Sequence, residues 1–204
     1  IEVGLGRIEV EAGRAAADVA GAPQGAIHLV SGAHVKVSGL PQARLDRFTI
    51  ALRLRPESLS GELARVATAD GSAARARLWV DGGVLKCAYV GDDNKLRQLA
   101  ATHVRDTVLL GRWQHVACAV GRGRFVMMVN GRLAASHPAT APDVATGANT
   151  LVLGAVDGNS ALVGRLDDAV LLDRDMGLEE VRAWSGYFIG FGQALVPSVQ
   201  DDFD

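Results

Sequence analysis

The chain has 204 residues, of which 49% are hydrophobic and 22% are charged, and its formal net charge is −2. This composition is typical of one globular domain with its own hydrophobic core. Because charges of both signs are mixed and no apolar run approaches the roughly 20 residues of a membrane span, the sequence predicts neither nucleic acid nor a membrane as a partner. The chain begins at Ile1 without a Met, so we expect it to be a piece of a longer protein.

Short segments in which apolar and polar residues alternate recur along the chain and predict β-strands. AIHLVSGAHVKVSG predicts two strands on either side of Ser31-Gly32, and FTIALRLRP places Phe48, Ile50, Leu52 and Leu54 on one face. Turns rich in Gly, Asp and Asn separate the later strands, because these residues tolerate the positive φ angles of tight hairpins. The predicted turns lie at 70–71, 81–83, 91–94, 121–123, 130–131 and 157–159.

The segment GLEEVRAW predicts a single short C-terminal helix. Gly177 precedes it as an N-cap, and Glu179 and Glu180 lie in its first turn, where the helix dipole favours negative charge. About a dozen strands followed by one helix predict an all-β, antiparallel sandwich or barrel.

Two cysteines, Cys87 and Cys118, lie within apolar strand segments. Two cysteines form a weak disulfide framework for a domain of this size, so we expect buried free thiols, with a disulfide as the alternative. Free thiols would permit a cytoplasmic location.

The order of several segments resembles a LamG-like domain of the concanavalin A-like lectin/glucanase superfamily. These segments are FTIALRLRPES, RLWVDGGVLKCAYV, GRWQHVACAVGRGRFVMMVNGRLAAS, NTLVLGA and GRLDDAVLLDRDMGLEEV. Their order and spacing are more specific than any one motif. The resemblance implies an antiparallel jelly-roll β-sandwich, and it suggests a secreted or cell-surface protein.

The resemblance also sets the expected domain boundaries. Residues 26–184 form the LamG-like sandwich. Residues 1–25 form an N-terminal extension that can add one strand, and residues 185–204 form a C-terminal tail or linker.

The sequence predicts no catalytic residues. The resemblance also brings a catalytic pattern to check, because glucanases of this superfamily carry paired carboxylates on one strand in a pattern like Glu-x-Asp-x-x-Glu. Two of these carboxyl groups lie on one face of the strand, where both can act on the same sugar. Glu9 and Glu11 have part of that spacing but no third acid. The histidines form no HxH or HxxxH pair. His28 and His34 could approach each other across a hairpin, or each could lie alone on a strand. His115 is expected to pack and hydrogen-bond beside a core Trp. We therefore expect a domain that is not an enzyme by itself.

Calcium is the one expected metal, because LamG-like domains often carry a site built from carboxylate and carbonyl oxygens. Acidic turns lie at Asp70, 92–94 and 157–159, but turn geometry explains them equally well. The weak candidate ligands are Asp167 and Asp168. Adjacent residues of a regular strand point to opposite faces, so we expect one of the two to face solvent and the other to meet backbone donors or an ion.

Aromatic residues make up only 5% of the chain, which weakens an inference of sugar binding. Phe48, Trp79, Trp113 and Phe125 are assigned to the core. Five of the remaining aromatic residues are possible outliers from the core, namely Tyr89, Trp184, Tyr187, Phe188 and Phe191. The last four lie in AWSGYFIGFG, which we expect to dock on a neighbouring domain or subunit.

Two hypotheses of function remain open. The first is a non-catalytic binding module that recognises a glycan or a protein surface through its rim loops. The second is a structural or assembly domain of a larger enzyme or complex, with no ligand of its own.

Overall fold

A computed structural model describes residues 7–9, 26–30, 33–38, 47–68, 73–91, 93–103, 107–121, 123–139, 150–154 and 162–189. In this part of the chain there are thirteen strands and one helix. The strands are β1 (Arg7–Glu9), β2 (Ile27–Leu29), β3 (His34–Ser38), β4 (Phe48–Pro56), β5 (Gly61–Ala67), β6 (Ala74–Asp81), β7 (Val84–Val90), β8 (Leu96–Ala100), β9 (Gln114–Gly121), β10 (Arg124–Val129), β11 (Arg132–Pro138), β12 (Thr150–Gly154) and β13 (Gly164–Leu172). The helix is α1 (Leu178–Ile189).

The strands form two antiparallel sheets packed face to face as a jelly-roll sandwich, which confirms the predicted fold class. The larger sheet has seven strands in the order β1-β3-β12-β5-β6-β7-β8. The smaller sheet has six strands in the order β11-β10-β9-β4-β13-β2. The chain crosses between the sheets several times, as at β4 to β5 and β8 to β9, and these crossings enclose one core.

The core lies between the sheets and follows the predicted alternation. Phe48, Ile50, Leu52 and Leu54 of β4 all point inward and are at most 1% exposed. Each side chain of this size that leaves water contributes roughly 1.5–3 kcal/mol to folding. Tyr89, predicted to lie outside the core, is instead completely buried and stacks edge to face on Phe125 at 4.9 Å between ring centroids.

The two cysteines form a disulfide, so the expectation of free thiols is wrong. Cys87 lies on β7 of the larger sheet and Cys118 on β9 of the smaller sheet, with their Cα atoms 6.5 Å apart. Both side chains point into the core, and this separation is within the range that a disulfide spans. The bond therefore links the two sheets covalently, and it removes the argument that free thiols permit a cytoplasmic location.

The approach of His28 and His34 across a hairpin, which the sequence left open beside lone positions on strands, does not occur in the structure. Their strands β2 and β3 join different sheets and do not pair with each other. Nε2 of His28 lies 3.4 Å from Oε2 of Glu57 instead.

The helix α1 packs on the outer face of the smaller sheet. It follows Gly177 as predicted, but it continues to Ile189 and so crosses the boundary that was expected after residue 184. Thr49 fixes its approach, because its Oγ1 accepts a hydrogen bond from the N–H of Met176 at 2.9 Å. Trp184, predicted to dock on a neighbour, packs partly against this face with Val181. No helix in the described part of the chain has the length and hydrophobicity that crossing a membrane requires.

Candidate functional site

Asp167 and Asp168, the weak candidates for metal ligands, lie at a β-bulge. The register between β13 and β4 shifts between Asp167 and Val170, and Asp168 has a φ of 48°. The backbone N–H of Asp168 donates a hydrogen bond to Oδ1 of Asp167 at 2.8 Å. Because the strand is irregular here, the expectation that the two side chains alternate between faces does not hold.

A guanidinium group already lies beside these carboxylates. Nη1 of Arg53 is 3.6 Å from Oδ2 of Asp168, and the guanidinium lies 5.3 Å from the ring centroid of Trp113. Burial, and next the charge of Asp167, raise the pKa of Asp168. Within the described ranges no three His, Cys, Asp or Glu side chains lie close enough to hold a metal ion. These side chains fit calcium poorly, and calcium binding stays a prediction.

The acidic turn at 91–94 is explained by local structure where it is described. Asp93 accepts two hydrogen bonds from the guanidinium of Arg97, at 2.7 and 2.9 Å, and this pairing holds the pKa of Asp93 well below its usual range. Asn94 adopts a φ of 57°, as tight turns require. Asp70, Asp92 and the 157–159 turn lie outside the described residues.

His115 is buried next to Arg53 on the outer face of the smaller sheet, as their strands pair directly. Burial, and secondarily the charge of Arg53, lower the pKa of His115 to about 4, so its imidazole is neutral at pH 7. Its ring nitrogens have no hydrogen-bond partner in the described part of the chain, and only its backbone N–H bonds to Oδ1 of Asn130. His115 is buried as expected, but Trp113, assigned to the core from the sequence, is only half-buried. The expected side-chain hydrogen bond of His115 is not found in the described part of the chain.

A surface more favourable for ligand binding, which was not predicted from the sequence, lies on the outer side of the larger sheet. Leu78 and Val80 of β6 face the core, so Arg77 and Trp79 project outward. Trp79, assigned above to the core, is instead half-buried on this surface, and that assignment is wrong. The alternation within ARARLWVD was the signal that could have revealed it.

We call this surface the basic face and define it by Lys36, Arg65, Arg77, Trp79 and Lys86. It carries two rows of directly paired residues. Across all seven strands the first row is Glu9, Lys36, Val152, Arg65, Arg77, Ala88 and Gln98. The second row is Glu62, Trp79, Lys86 and Ala100.

Glu62 holds two of the arginines in place. Its side chain has no solvent exposure, and it accepts hydrogen bonds from Nε and Nη2 of Arg65 and from Nε of Arg77, the last at 2.9 Å. The guanidinium of Arg77 also lies 5.5 Å from the ring centroid of Trp79. Charge-assisted bonds and stacking of this kind fix a side chain in one orientation.

The basic face keeps an excess of positive charge. Glu62 pairs with Arg65 and Arg77, and Asp81 pairs with Nζ of Lys86 at 2.6 Å. Lys36 has no ion pair with any described residue. The face therefore offers ammonium groups, fixed guanidinium edges and one indole ring on a surface of small and apolar neighbours.

An apolar groove of about 300 Å³ lies elsewhere, between the start of α1 and strands β9 to β11. Its lining is Ala119, Gly121, Arg124, Val126, Met128, Leu133, Ser136, Asp175, Met176, Gly177 and Leu178. The groove lies on the smaller sheet and is separate from the basic face.

Comparisons with known proteins agree with this architecture. The family model Laminin_G_3, described as concanavalin A-like lectin/glucanases superfamily, matches residues 30–182. A comparison with curated proteins gave no match.

Three solved structures share the fold at low sequence identity. The binding domain of Paraclostridial Mosquitocidal Protein 1 has a TM-score of 0.67 at 17% identity, over 91% of this chain and 48% of the other. The Botulinum Neurotoxin Type G receptor binding domain has a TM-score of 0.65 at 12% identity, over 90% of this chain and 46% of the other. The heptameric SAP-like pentraxin from Limulus polyphemus has a TM-score of 0.57 at 16% identity, over 80% of this chain and 76% of the other. The chain thus spans about half the length of the toxin binding domains.

Proposed function

Because the chain belongs to the Laminin_G_3 family of the concanavalin A-like lectin/glucanases superfamily, we propose that it is a non-catalytic module that binds a glycan or a protein surface. Several structures that share its fold are named as binding or receptor-binding domains. Their low identity supports the fold, and the choice of ligand rests on the residues of this chain.

One observation carries the proposal, namely the outward position of Trp79 beside Arg77 and Lys86. Sugar recognition usually combines an aromatic ring, against which a sugar ring stacks, with polar groups that fix its orientation. Trp79 supplies the ring, while Arg77 and Lys86 supply donors on the same face. This arrangement favours the sheet face over the rim loops as the binding surface.

The carboxylate on this face is unsuited to acid–base chemistry. Glu62 is fully buried and is held by two arginines, so it has no access to a bound substrate. A retaining glycosidase would need a second carboxyl group about 5 Å away across the sugar. Asp81, the other acid of this face, is paired with Lys86. We therefore propose binding without catalysis.

The test is a glycan array with the wild-type chain and with Trp79→Ala. Loss of glycan signals in the variant supports the proposal, and signals that are the same in both proteins contradict it. Trp79→Phe keeps an aromatic ring, so it should retain part of the binding. Trp113→Phe is the matched control, because Trp113 lies by Arg53 on the other sheet. Circular dichroism of each variant checks that the fold is retained.

A second candidate function is an assembly domain within a larger protein. Three exposed leucines favour it, Leu59 at 38%, Leu109 at 46% and Leu110 at 51% exposure. They share one rim of the sandwich, since Gly83 bonds both to the carbonyl of Leu59, at 2.7 Å, and to the N–H of Val108, at 2.8 Å. Exposed apolar clusters often mark protein contacts. Self-association that Leu109→Ser/Leu110→Ser abolishes would support this function, and a monomer at all concentrations would oppose self-assembly.

Calcium at Asp167 and Asp168 is a separate proposal. If calcium binds the folded chain, excess calcium must raise the melting temperature and EDTA must lower it. Asp167→Asn/Asp168→Asn should then abolish the response. An identical melt in calcium and in EDTA would refute this proposal without affecting the basic face.

A further inference from the structure

We propose that one end of the sandwich attaches the chain to the surface of an anionic phospholipid membrane. This end presents exposed leucines on hydrogen-bonded loops, with arginines that have no acidic partner beside them. We call it the rim surface and define it by Leu59, Leu109, Leu110, Arg55, Arg112 and Arg165. The inference goes beyond the proposed function and uses no residue of the basic face.

The loops of the rim surface meet at one end of both sheets. In the smaller sheet β4 ends there at Pro56, and in the larger sheet β7 begins just after Gly83. The loop that leads into β9 connects the two sheets. The N–H of Val108 donates a hydrogen bond to the carbonyl of Gly83 at 2.8 Å, and the N–H of Gly111 donates one to the carbonyl of Pro56 at 2.8 Å. Residues distant in sequence therefore form one continuous surface.

Three of the five exposed large hydrophobic side chains in the described part of the chain belong to this surface, namely Leu59, Leu109 and Leu110. They lie on loops at the end of the sandwich, where side chains can enter the boundary between headgroups and acyl chains. An apolar side chain that moves from water into this boundary is stabilised in proportion to the area that leaves water. The leucines therefore supply the apolar part of a membrane contact.

Hydrogen bonds already hold these loops in place. The backbone N–H of Leu109 donates to Oε1 of the buried Gln114 at 2.6 Å, and the carbonyl of Leu59 accepts from the N–H of Gly83 at 2.7 Å. Nε of Arg55 donates to the carbonyl of Gly111 at 2.9 Å. Since the loops are ordered before they meet a membrane, binding costs little conformational entropy.

The arginines of the rim surface lack counterions. Arg55 and Arg165 are direct partners on β4 and β13, an arrangement in which like charges repel. Arg112 is exposed two residues before β9 begins. None of the three forms an ion pair with a described residue. Phosphate and carboxylate groups of lipids would supply the missing negative charge, and each arginine near an anionic membrane contributes to attachment.

The described acids nearest this end lie beside other basic residues, Glu57 by His28, Asp81 by Lys86 and Asp168 by Arg53. Asp167 lies two residues farther from the end than Arg165. The rim itself therefore has three guanidinium groups and one carboxylate, that of Glu57, without a lysine or arginine partner. The net charge of −2 for the whole chain, which argued against a membrane, does not reveal this local excess.

A bilayer suits this surface better than a second copy of the chain. Stable protein interfaces bury roughly 800 Å² per partner around a closely packed core, and three partly exposed leucines supply far less area. Lipids need no complementary shape, because their headgroups and acyl chains rearrange around inserted side chains. The combination of apolar loop tips and neighbouring cations also matches the two layers of an anionic membrane surface.

The experiment measures co-sedimentation of the full chain with vesicles at low salt. One set of vesicles is phosphatidylcholine alone, and the other is an equal mixture of phosphatidylcholine and phosphatidylserine. Binding to the mixed vesicles well above binding to phosphatidylcholine supports the inference. Added salt should weaken this binding, because the arginines and headgroups form exposed ion pairs. The vesicles contain no glycan, so the result is independent of the proposed sugar binding.

Leucine variants test the apolar contact. Leu109→Ser/Leu110→Ser should weaken binding to the mixed vesicles by at least about tenfold, because two partly exposed leucines no longer transfer into the bilayer. Leu96→Ser is the matched control and should leave binding unchanged. Leu96 is 67% exposed on β8, and it pairs with Val90 at the opposite end of the larger sheet. Circular dichroism confirms that each variant folds.

Arginine variants test the charge. Arg112→Gln and Arg165→Gln should each weaken binding by about fivefold, the effect of losing one cation near an anionic membrane. Arg124→Gln removes the same charge at the opposite end of the smaller sheet, where Arg124 pairs with Gly121, and should leave binding unchanged. The double leucine variant and the arginine variants together separate the two parts of the contact.

Several outcomes would overturn the inference. These are no binding to mixed vesicles, equal binding to both kinds of vesicle, unchanged binding of Leu109→Ser/Leu110→Ser, or losses in the controls that equal those in the rim variants. Sedimentation without lipid tests the other occupant. An oligomer that the double leucine variant dissociates would assign the rim surface to a second copy and overturn the membrane contact. The glycan array with Trp79→Ala decides the proposed function separately.

Discussion

Reduction of the disulfide between Cys87 and Cys118 should lower the free energy of unfolding by about 4 kcal/mol. The bridge closes a loop with a sequence separation of 31 residues. A cross-link over a loop of this length removes roughly 12 cal/mol/K of entropy from the unfolded chain, which gives the stated value near 25 °C. For a domain of this size, such a loss corresponds to a decrease in melting temperature of roughly 10 °C.

Urea unfolding with and without reductant measures the difference directly. Alkylation under denaturing conditions should label no cysteine in untreated protein and both after reduction. Cys87→Ala/Cys118→Ala is the control, because reductant should not change its stability. Two alkylated cysteines in untreated protein would refute the bridge. Full reduction with no change in unfolding free energy would refute the entropic reasoning.

Three further predictions concern packing and charge. Glu62→Gln should lower the free energy of unfolding by about 3 kcal/mol, because it leaves two partly buried arginines without their counterion. The control Glu179→Gln, at an 83% exposed site, should change the free energy of unfolding in urea by under about 0.5 kcal/mol. Equal costs would contradict the role of Glu62. Gly131→Ala and Gly123→Ala each place Ala at a φ of 73°, a strain that should lower the free energy of unfolding by about 1–2 kcal/mol. At Gly131 the added Cβ also contacts Ser185 and Arg182 of α1. Gly131→Ala should therefore cost at least about 1 kcal/mol more, and equal values would place α1 elsewhere. The pKa of His115 is about 4 in the folded chain, compared with an ordinary value of 6.5. Between these two pH values the unfolded chain therefore binds more protons than the folded chain. The free energy of unfolding should fall by up to about 3 kcal/mol as the pH drops from 6.5 to 4. His115→Gln should flatten this dependence in unfolding measured from pH 7 to pH 4, and an unchanged slope would contradict the assignment.

The elements of the fold were predictable because their signals are local. FTIALRLRP places every second residue in the core, and the structure buries all four predicted side chains. The Asn130-Gly131 turn has positive φ angles at both residues, 50° and 73°, as a two-residue hairpin requires. Alternation and turn chemistry act over a few residues, so the sequence displays them directly.

The contacts between elements were not predictable in the same way. The disulfide joins strands of opposite sheets, and His28 and His34 were separated because β2 and β3 enter different sheets. Each outcome depends on which sheet a strand joins. That choice is made by the packing of the whole core and leaves no local trace in the sequence.

The candidate site was predictable from the sequence only in part. The outward position of Trp79 follows from the alternation of β6, but its size and hydrophobicity favoured the core. The clamp on Glu62 brings in Arg77, fifteen positions along the chain, through the pairing of β5 with β6. The bulge at Asp167 and Asp168 depends on the register with β4, so the assumption of a regular strand could not be checked beforehand.

The most direct test of the basic face is to map the ligand contact residue by residue. Nitrogen–proton correlation spectra of the labelled chain would be recorded during titration with an oligosaccharide that gives a signal on the glycan array. The largest shifts are expected at the indole N–H of Trp79, at the guanidinium of Arg77 and in the backbone around Lys36 and Lys86. Shifts confined to the rim around Leu109 or to the groove beside α1, with Trp79 unchanged, would contradict the assignment of this face as the binding surface.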